Sequence, residues 1–452
     1  MFTFRSKIPV SVPMAFHWHE RPGALDRLLP PWENVQIEQR SDSIDPGSRV
    51  VLRMSLGGLP LRWVAEHTEL HPNDYFRDLQ VSGPFSRWEH THRFHTDDEG
   101  NCVLEDQVDY RIPGGSLGQR LGKSTVEQML VQMFRYRHDT TTHDLIAHAR
   151  YQERSPMKIA ITGASGLVGS QLAPFLTTGG HEVVSISRSA GENTIQWDIK
   201  NQQIDAAALE GIDAVIHLAG ESVVGRWTDK KKEAIRRSRV DGTTLLAKTL
   251  AGLQTPPKVL VCASAMGFYG DRGDEILTES SPAGDGFLAD VCQEWEASAD
   301  PARQAGIRVA HARLGIVLSP KGGALKQMLT PFKLGVGGKI GNGKQWWSWI
   351  SLDDVIGALH HIMMNETIHG PVNLTAPKAM TNLEFTKVLG SVLSRPTFLP
   401  VPAFAAKLAL GEMADEMLLS SCRMEPKVLE STTYPFRDPN LERCLRKLLG
   451  RQ

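Results

Sequence analysis

Glycines at 163, 166 and 169 fall inside the run Met157-Lys-Ile-Ala-Ile-Thr-Gly-Ala-Ser-Gly-Leu-Val-Gly-Ser170, between an apolar burst and an amphipathic segment. Phosphate binding is the chemistry this spacing serves. Ile159 to Ile161 reads as a buried strand, and Leu172, Phe175 and Leu176 mark the inner face of a helix. Strand, glycine turn and helix in that order are the context in which G-x-x-G-x-x-G grips a dinucleotide. Gly163 turns where a β-carbon clashes, Gly166 admits the pyrophosphate against backbone, and Gly169 brings helix close to strand. Ser165, Leu167 and Val168 complete the loop, and the helix start adds free N–H groups and a positive dipole end.

The next segment, Gly180-His-Glu-Val-Val-Ser-Ile-Ser-Arg188, reads as a second buried strand at the distance the fingerprint requires. A site that selects NAD places an acid at the end of this strand to bond both ribose hydroxyls. Here the strand ends in Ser187 and Arg188, which predicts NADP (NADPH) instead. A guanidinium grips the extra 2′-phosphate through two charge-assisted hydrogen bonds and stacks on the adenine. Ser187 adds a donor, Arg239 on a later helix adds charge, and Asp198, after Trp197, is expected at the adenine edge.

The Thr-Gly-x-x-Gly-x-x-Gly spacing resembles the extended short-chain dehydrogenase/reductase superfamily, and later segments narrow the likeness. His217-Leu-Ala-Gly-Glu221, Arg237-Ser-Arg-Val-Asp-Gly-Thr243, Ser264-Ala-Met-Gly-Phe-Tyr-Gly270, Phe287 to Glu296, Arg313 to Leu318 and Gly337 to Ser351 carry it. Together they resemble an atypical branch whose members are called epimerase family proteins, over about residues 157–450. The resemblance implies that Leu218, Ala219 and Gly220 pass beside the cofactor and that Glu221 meets the nicotinamide ribose or the substrate.

The superfamily's usual proton machine is Tyr-x-x-x-Lys, in which the Lys charge lowers the Tyr pKa. The residues four places after the tyrosines at 75, 110, 136, 151, 269 and 434 are Leu79, Gly114, Thr140, Ser155, Gly273 and Asp438. None is lysine. By alignment the pair falls at about Phe287 and Val291, which carry no proton. The remaining candidates for catalysis are Ser264 and Tyr269, just after the fifth strand, with Cys292 and Glu294 nearby. Ser264 is suited to hydrogen-bond a carbonyl or hydroxyl and Tyr269 to act as an acid; both equally suit a structural role. Trp346, Trp347 and Trp349 suit either walling a flat substrate or clamping a junction.

These groups need a scaffold. A chain of 452 residues exceeds one ordinary core and points to two or three domains. Strands are expected near 158–162, 182–187, 213–218, 258–263 and 307–312 with helices between, a doubly wound parallel α/β sheet of Rossmann type over 157–375. A small helical, DUF1731-like cap is expected over 376–452, and the polar stretch Arg150 to Pro156 serves as a linker.

Residues 1–150 show period-two alternation from Arg49 to Leu56, Leu61 to Leu70, Asp78 to Val81, Trp88 to Phe94 and Cys102 to Ile112. A long amphipathic helix follows, from about Leu117 to Ala149. An antiparallel sheet gripping one long helix is the α+β helix-grip fold. Ser82 to Phe94 and Asp106 to Gly115 resemble the START-like, polyketide cyclase (SRPBCC) superfamily. That resemblance implies an apolar interior able to take a hydrophobic ligand. His90, His92 and His95 invite a metal reading, but the sequence favours an exposed strand face pairing His with Arg87, Glu89 and Arg93, and no metal is expected.

Lys plus Arg is 50 against Asp plus Glu 51, a net charge of −1, so no basic excess invites nucleic acid or an acidic membrane surface. Cysteines 102, 262, 292, 422 and 444 form no C-x-x-C pair and suit reduced thiols. No run of 18 apolar residues occurs and the N-terminus lacks a signal peptide's apolar core, so a cytoplasmic chain without membrane spans is expected.

Three functions fit. The first is an NADP-dependent oxidoreductase or epimerase-like enzyme acting on a small-molecule substrate without the tyrosine–lysine pair. The second is a non-catalytic NADP-binding sensor, and the third is a carrier of an apolar ligand in residues 1–150. Substrate and oligomeric state are not written in these motifs.

Overall fold

A computed structural model describes residues 1–56 and 59–451. The first 150 residues open with strand β1 (Phe2–Ile8) and two short helices, α1 (Val12–Glu20) and α2 (Ala24–Leu28). Strands β2 (Gln36–Arg40), β3 (Arg49–Leu56), β4 (Leu59–His71), β5 (Tyr75–Ser82), β6 (Arg87–Thr96) and β7 (Cys102–Arg111) follow. They form one seven-stranded sheet in the order β1-β7-β6-β5-β4-β3-β2, every neighbour antiparallel. Helix α3 (Gly115–Ala149), 35 residues long, packs against the sheet at β1 and β7. This is the helix-grip architecture, with β1 and β2 at the two edges of the sheet.

Its interior is not purely apolar. Apolar clusters sit towards its ends, around Phe16, Phe76 and Phe94 and around Trp88, Val108 and Phe134. On β6 the inward side chains are Trp88, His90, His92 and Phe94, all buried. The expectation of an exposed histidine face is therefore corrected. Because strand side chains alternate, the half-buried Glu89 and Arg93 take the outer face while His90 and His92 turn in, and only His95 is exposed. Asp78 of β5 and Asp106 of β7 meet them from the neighbouring strands.

The second part begins at β8 (Lys158–Thr162) and continues through α4 (Gly169–Thr178), β9 (Glu182–Ser187), β10 (Thr194–Asp198), β11 (Gln203–Ile204), β12 (Ala214–His217), α5 (Asp229–Ala251), β13 (Val259–Ala265) and α6 (Phe287–Ala297). With the strands Arg308–Leu314 and Gly370–Leu374 they make an eight-stranded sheet in the order β11-β10-β9-β8-β12-β13-(308–314)-(370–374). All pairings are parallel except that of β11. Strand order reverses between β8 and β12, so a crevice opens at the carboxyl ends of these strands. Helices on both faces bury separate apolar cores, one against α4 and the helix Leu352–Met364, the other against α5.

The C-terminal part carries the helices Ala403–Leu410 and Leu441–Leu448. Leu441, Cys444, Leu445 and Leu448 share a core with Trp347 and Trp349, so two of the three tryptophans clamp this junction. Trp346 lies beneath Arg423 at 4.3 Å and donates its indole N–H to Asp274 at 2.8 Å. All five cysteines are free and buried. Among the described residues no helix is long and apolar enough to cross a membrane.

Candidate functional site

The glycine turn sits at the switch point. Gly163 has φ +69, a region closed to most side chains, and a β-carbon there would meet the backbone of Leu218 and Ala219 at 3.0 Å. Gly169 is more constrained: its β-carbon would lie 2.3 Å from the Gly163 carbonyl and 2.7 Å from Ala164 Cα. Gly166 closes the turn by donating its N–H to the Gly163 carbonyl at 2.9 Å. Ser165 and Gly166 are exposed, Leu167 and Val168 half-buried, and all four lead into the N-terminus of α4.

Thr162 fixes the crossing beneath this turn. Its hydroxyl oxygen accepts the N–H groups of Leu218 and Ala219 at 3.0 and 3.1 Å and lies 2.7 Å from His217 Nδ1. A hydroxyl that accepts two N–H groups has its own hydrogen left to donate, so His217 Nδ1 is the acceptor. His217 Nε2–H then donates to Thr243 Oγ1 at 2.9 Å, which also receives the Trp295 indole N–H at 3.0 Å. Burial lowers the His217 pKa to about 4, in keeping with this neutral tautomer. Thr162, His217 and Thr243 all lie inside the sequence motifs. Their hydrogen bonding was not readable because the partners come from three elements.

Arg188 follows directly on β9 with its side chain exposed, and its carbonyl accepts from Gln196 Nε2 at 3.3 Å. Ser187 Oγ accepts the N–H of Ser189 at 3.2 Å. Asp198 ends β10 and is engaged with Asn201, whose backbone N–H and side-chain amide donate to it at 3.1 and 2.7 Å. Arg239 of α5 packs beside Gly220, donates to the carbonyls of Glu221 and Ile235 at 3.0 and 3.1 Å, and lies 5.0 Å above the Trp295 ring. Glu221 is exposed, paired with Lys231 at 2.7 Å, and its carboxyl pKa is lowered chiefly by that hydrogen bond.

At the carboxyl end of β13, Ser264 and Tyr269 belong to one buried chain of hydrogen bonds. Ser264 donates to Glu296 Oε1 at 2.7 Å, and Arg313 binds both oxygens of Glu296 at 2.8 Å. Arg313 also donates to the Tyr269 hydroxyl at 2.9 Å, and that hydroxyl donates to Asn373 Oδ1 at 2.7 Å, with the Thr278 carbonyl at 3.0 Å. Burial pushes the Tyr269 pKa up to about 12. Cys292 is buried with its thiol near the Ala265 carbonyl, and Glu294 pairs with Arg236. Glu296 and Arg313 stand at the edges of quoted motifs, but nothing in spacing alone joins them.

Residues 159–374 match the NAD dependent epimerase/dehydratase family, 401–448 a domain of unknown function (DUF1731), and 8–134 the polyketide cyclase / dehydrase and lipid transport family. An epimerase family protein of Mycobacterium bovis is 41% identical over 283 residues, spanning 62% of this chain and 93% of the relative. A crystal structure from Corynebacterium glutamicum, described as a nucleoside-diphosphate sugar epimerase, superposes with a TM-score of 0.82 at 33% identity, covering 100% of this chain and 90% of its own. The human epimerase family protein SDR39U1, crystallised with NADPH, superposes with a TM-score of 0.60 at 33% identity, covering 65% of this chain and 99% of its own.

Proposed function

The chain belongs to the epimerase family, and from that premise we propose that it binds NADP(H) across the β8–β12 switch point and exchanges a hydride with a small-molecule substrate. The cradle fits such a group. The β-carbon positions of Gly163 and Gly169 are filled by backbone, so the loop is built for close approach, and the α4 N-terminus faces the phosphate end of the crevice. The observation that carries the reading is Arg188, an exposed guanidinium where an NAD site has an acid. Ser187 adds a hydroxyl beside it. NADPH, when bound, supplies the hydride, and the human relative's complex with that cofactor supports the choice.

Leu218, Ala219 and Gly220 line the crevice floor, and Arg239 shapes its rim by holding the Glu221 carbonyl. Asp198, tied to Asn201, bounds the adenine side. Ser264 and Tyr269 act on turnover as positioning residues: through Glu296 and Arg313 they hold the end of β13 beside the nicotinamide site. Incubating NADPH with a carbonyl library and purified protein tests the reading; consumption dependent on one substrate is expected, and tight NADPH binding with no turnover on any carbonyl contradicts it.

A second reading has its own support. The Tyr269 hydroxyl is fully engaged and no Tyr-x-x-x-Lys pair exists, which favours a protein that binds NADP(H) without chemistry. For residues 8–134 the likeness to lipid-transport domains supports an apolar guest between sheet and α3. A co-purifying ligand in native mass spectra would identify it.

A further inference from the structure

The buried histidines of the N-terminal sheet are arranged about one point. His90 Nδ1 lies 3.3 Å from Asp78 Oδ2, and His92 Nε2 lies 3.9 Å from the same oxygen. One ligand atom from each of Asp78, His90 and His92 falls within 4.8 Å of the others. The opposite nitrogens turn to a different carboxylate: His90 Nε2 donates to Asp106 Oδ1 at 2.8 Å, and His92 Nδ1 stands 2.6 Å from that oxygen. Asp106 Oδ2 is held in turn by His138 Nε2 of α3 at 2.5 Å.

From this arrangement we infer that Asp78, His90 and His92 bind a divalent transition metal of the zinc class, with Asp106 as the carboxylate that orients the His90 imidazole and stands beside that of His92. Metal-bound histidines characteristically give one nitrogen to the ion and the other N–H to a carboxylate, which fixes tautomer and ring. His90 has that division in full, with Asp78 at Nδ1 and Asp106 at Nε2, while His92 Nδ1 stands 2.6 Å from Asp106 Oδ1 without the geometry of a hydrogen bond. Ligands on a tetrahedral zinc at about 2.0–2.2 Å stand roughly 3.3 Å apart, the spacing found between His90 and Asp78. Two imidazoles and one carboxylate suit zinc or iron(II) and leave coordination positions open. His67 lies opposite Asp78 in the sheet register, and its buried Nδ1 has no hydrogen-bond partner among the described residues. The register thus sets a further imidazole beside Asp78. The pattern lies between the two apolar clusters of the helix-grip interior, where an open position would face the carbonyl or hydroxyl of an apolar guest.

Untagged full-length protein, stripped with EDTA and desalted, is titrated with Zn(II) against a chromophoric chelator and with Co(II) by visible absorption. One equivalent per chain is expected, with Co(II) bands of low coordination number and a rise in melting temperature. Asp78→Asn and His92→Gln should each weaken Zn(II) at least about 100-fold, and Asp106→Asn by about 10–100-fold, with circular dichroism unchanged. Should His92→Gln fail to fold, Asp78→Asn and the wild-type stoichiometry decide. Folded wild type that takes up no stoichiometric metal overturns the site and leaves a protonated His90 bridging two aspartates. Binding that survives both Asp78→Asn and His92→Gln overturns it equally.

Discussion

Arg27 and Asp353 meet at 3.0 Å in a buried ion pair that joins the helix-grip part of the chain to the doubly wound sheet. Asp144 of α3 is the hinge of the same network, accepting from Arg27 at 2.8 and 3.0 Å and from Arg437 at 2.7 Å. Lys447 closes it from the C-terminal helix, at 3.0 Å from Asp353 and 3.2 Å from Asp438. Three acids and three bases from three parts of the chain balance in the interior.

Breaking that balance costs more than forming it gains, because a charge left alone in the interior loses its hydration without compensation. Asp144→Ala leaves Arg27 and Arg437 without their shared carboxylate and should destabilise the fold by about 3–5 kcal/mol. Urea denaturation checks this; a loss below about 1 kcal/mol would show that water reaches the site.

Gly169→Ala should disrupt the cradle more than Gly166→Ala. The new methyl would stand 2.3 Å from the Gly163 carbonyl in the first case and 3.2 Å in the second. Calorimetry with NADPH is expected to show no measurable binding to Gly169→Ala and weakened binding to Gly166→Ala. Equal affinities for both variants would remove the close-packing argument.

Acid should loosen the second sheet. His217 is neutral when folded, with its pKa lowered to about 4 by burial, whereas in the unfolded chain it titrates near 6.5. Above pH 6.5 it is neutral in both states and costs nothing. As pH falls from 6.5 to 4 the unfolded chain takes the proton first, so up to about 3 kcal/mol of stability is lost across that window. His181 and His361, also lowered to about 4 by burial, act in the same direction. His217→Gln should flatten the pH dependence of the unfolding free energy; an unchanged slope would assign it to other groups.

Tyr269→Phe removes only a hydroxyl but leaves Arg313 and Asn373 short of a partner, at a cost of about 1–3 kcal/mol. For a positioning residue, NADPH affinity should hold, kcat should fall modestly, and its pH profile should keep its shape. A lost ionisation in that profile would instead make Tyr269 the acid.

Much of this was legible. The glycine run, the second strand leading into Arg188 and the alternation of β3 to β7 each carry a local period that survives folding. What escaped the sequence is sidedness. On β6 the parity of Trp88 and Phe94 puts His90 and His92 on the inner face, but nothing local shows that Asp78 and Asp106 of the neighbouring strands meet them there. Tyr269 was findable by motif but its direction was not, because Arg313 and Asn373 arrive from later strands. The tie from Arg27 to Asp353 spans most of the chain and leaves no local trace.

The central claim is cofactor recognition by Arg188, and calorimetric titration of NADPH and NADH into wild type and Arg188→Ala tests it most directly. Loss of charge-assisted bonds of about 1.5–3 kcal/mol predicts that the variant binds NADPH one to two decades more weakly and NADH almost unchanged. Equal wild-type affinities for the two cofactors, or equal losses in the variant, would contradict the account.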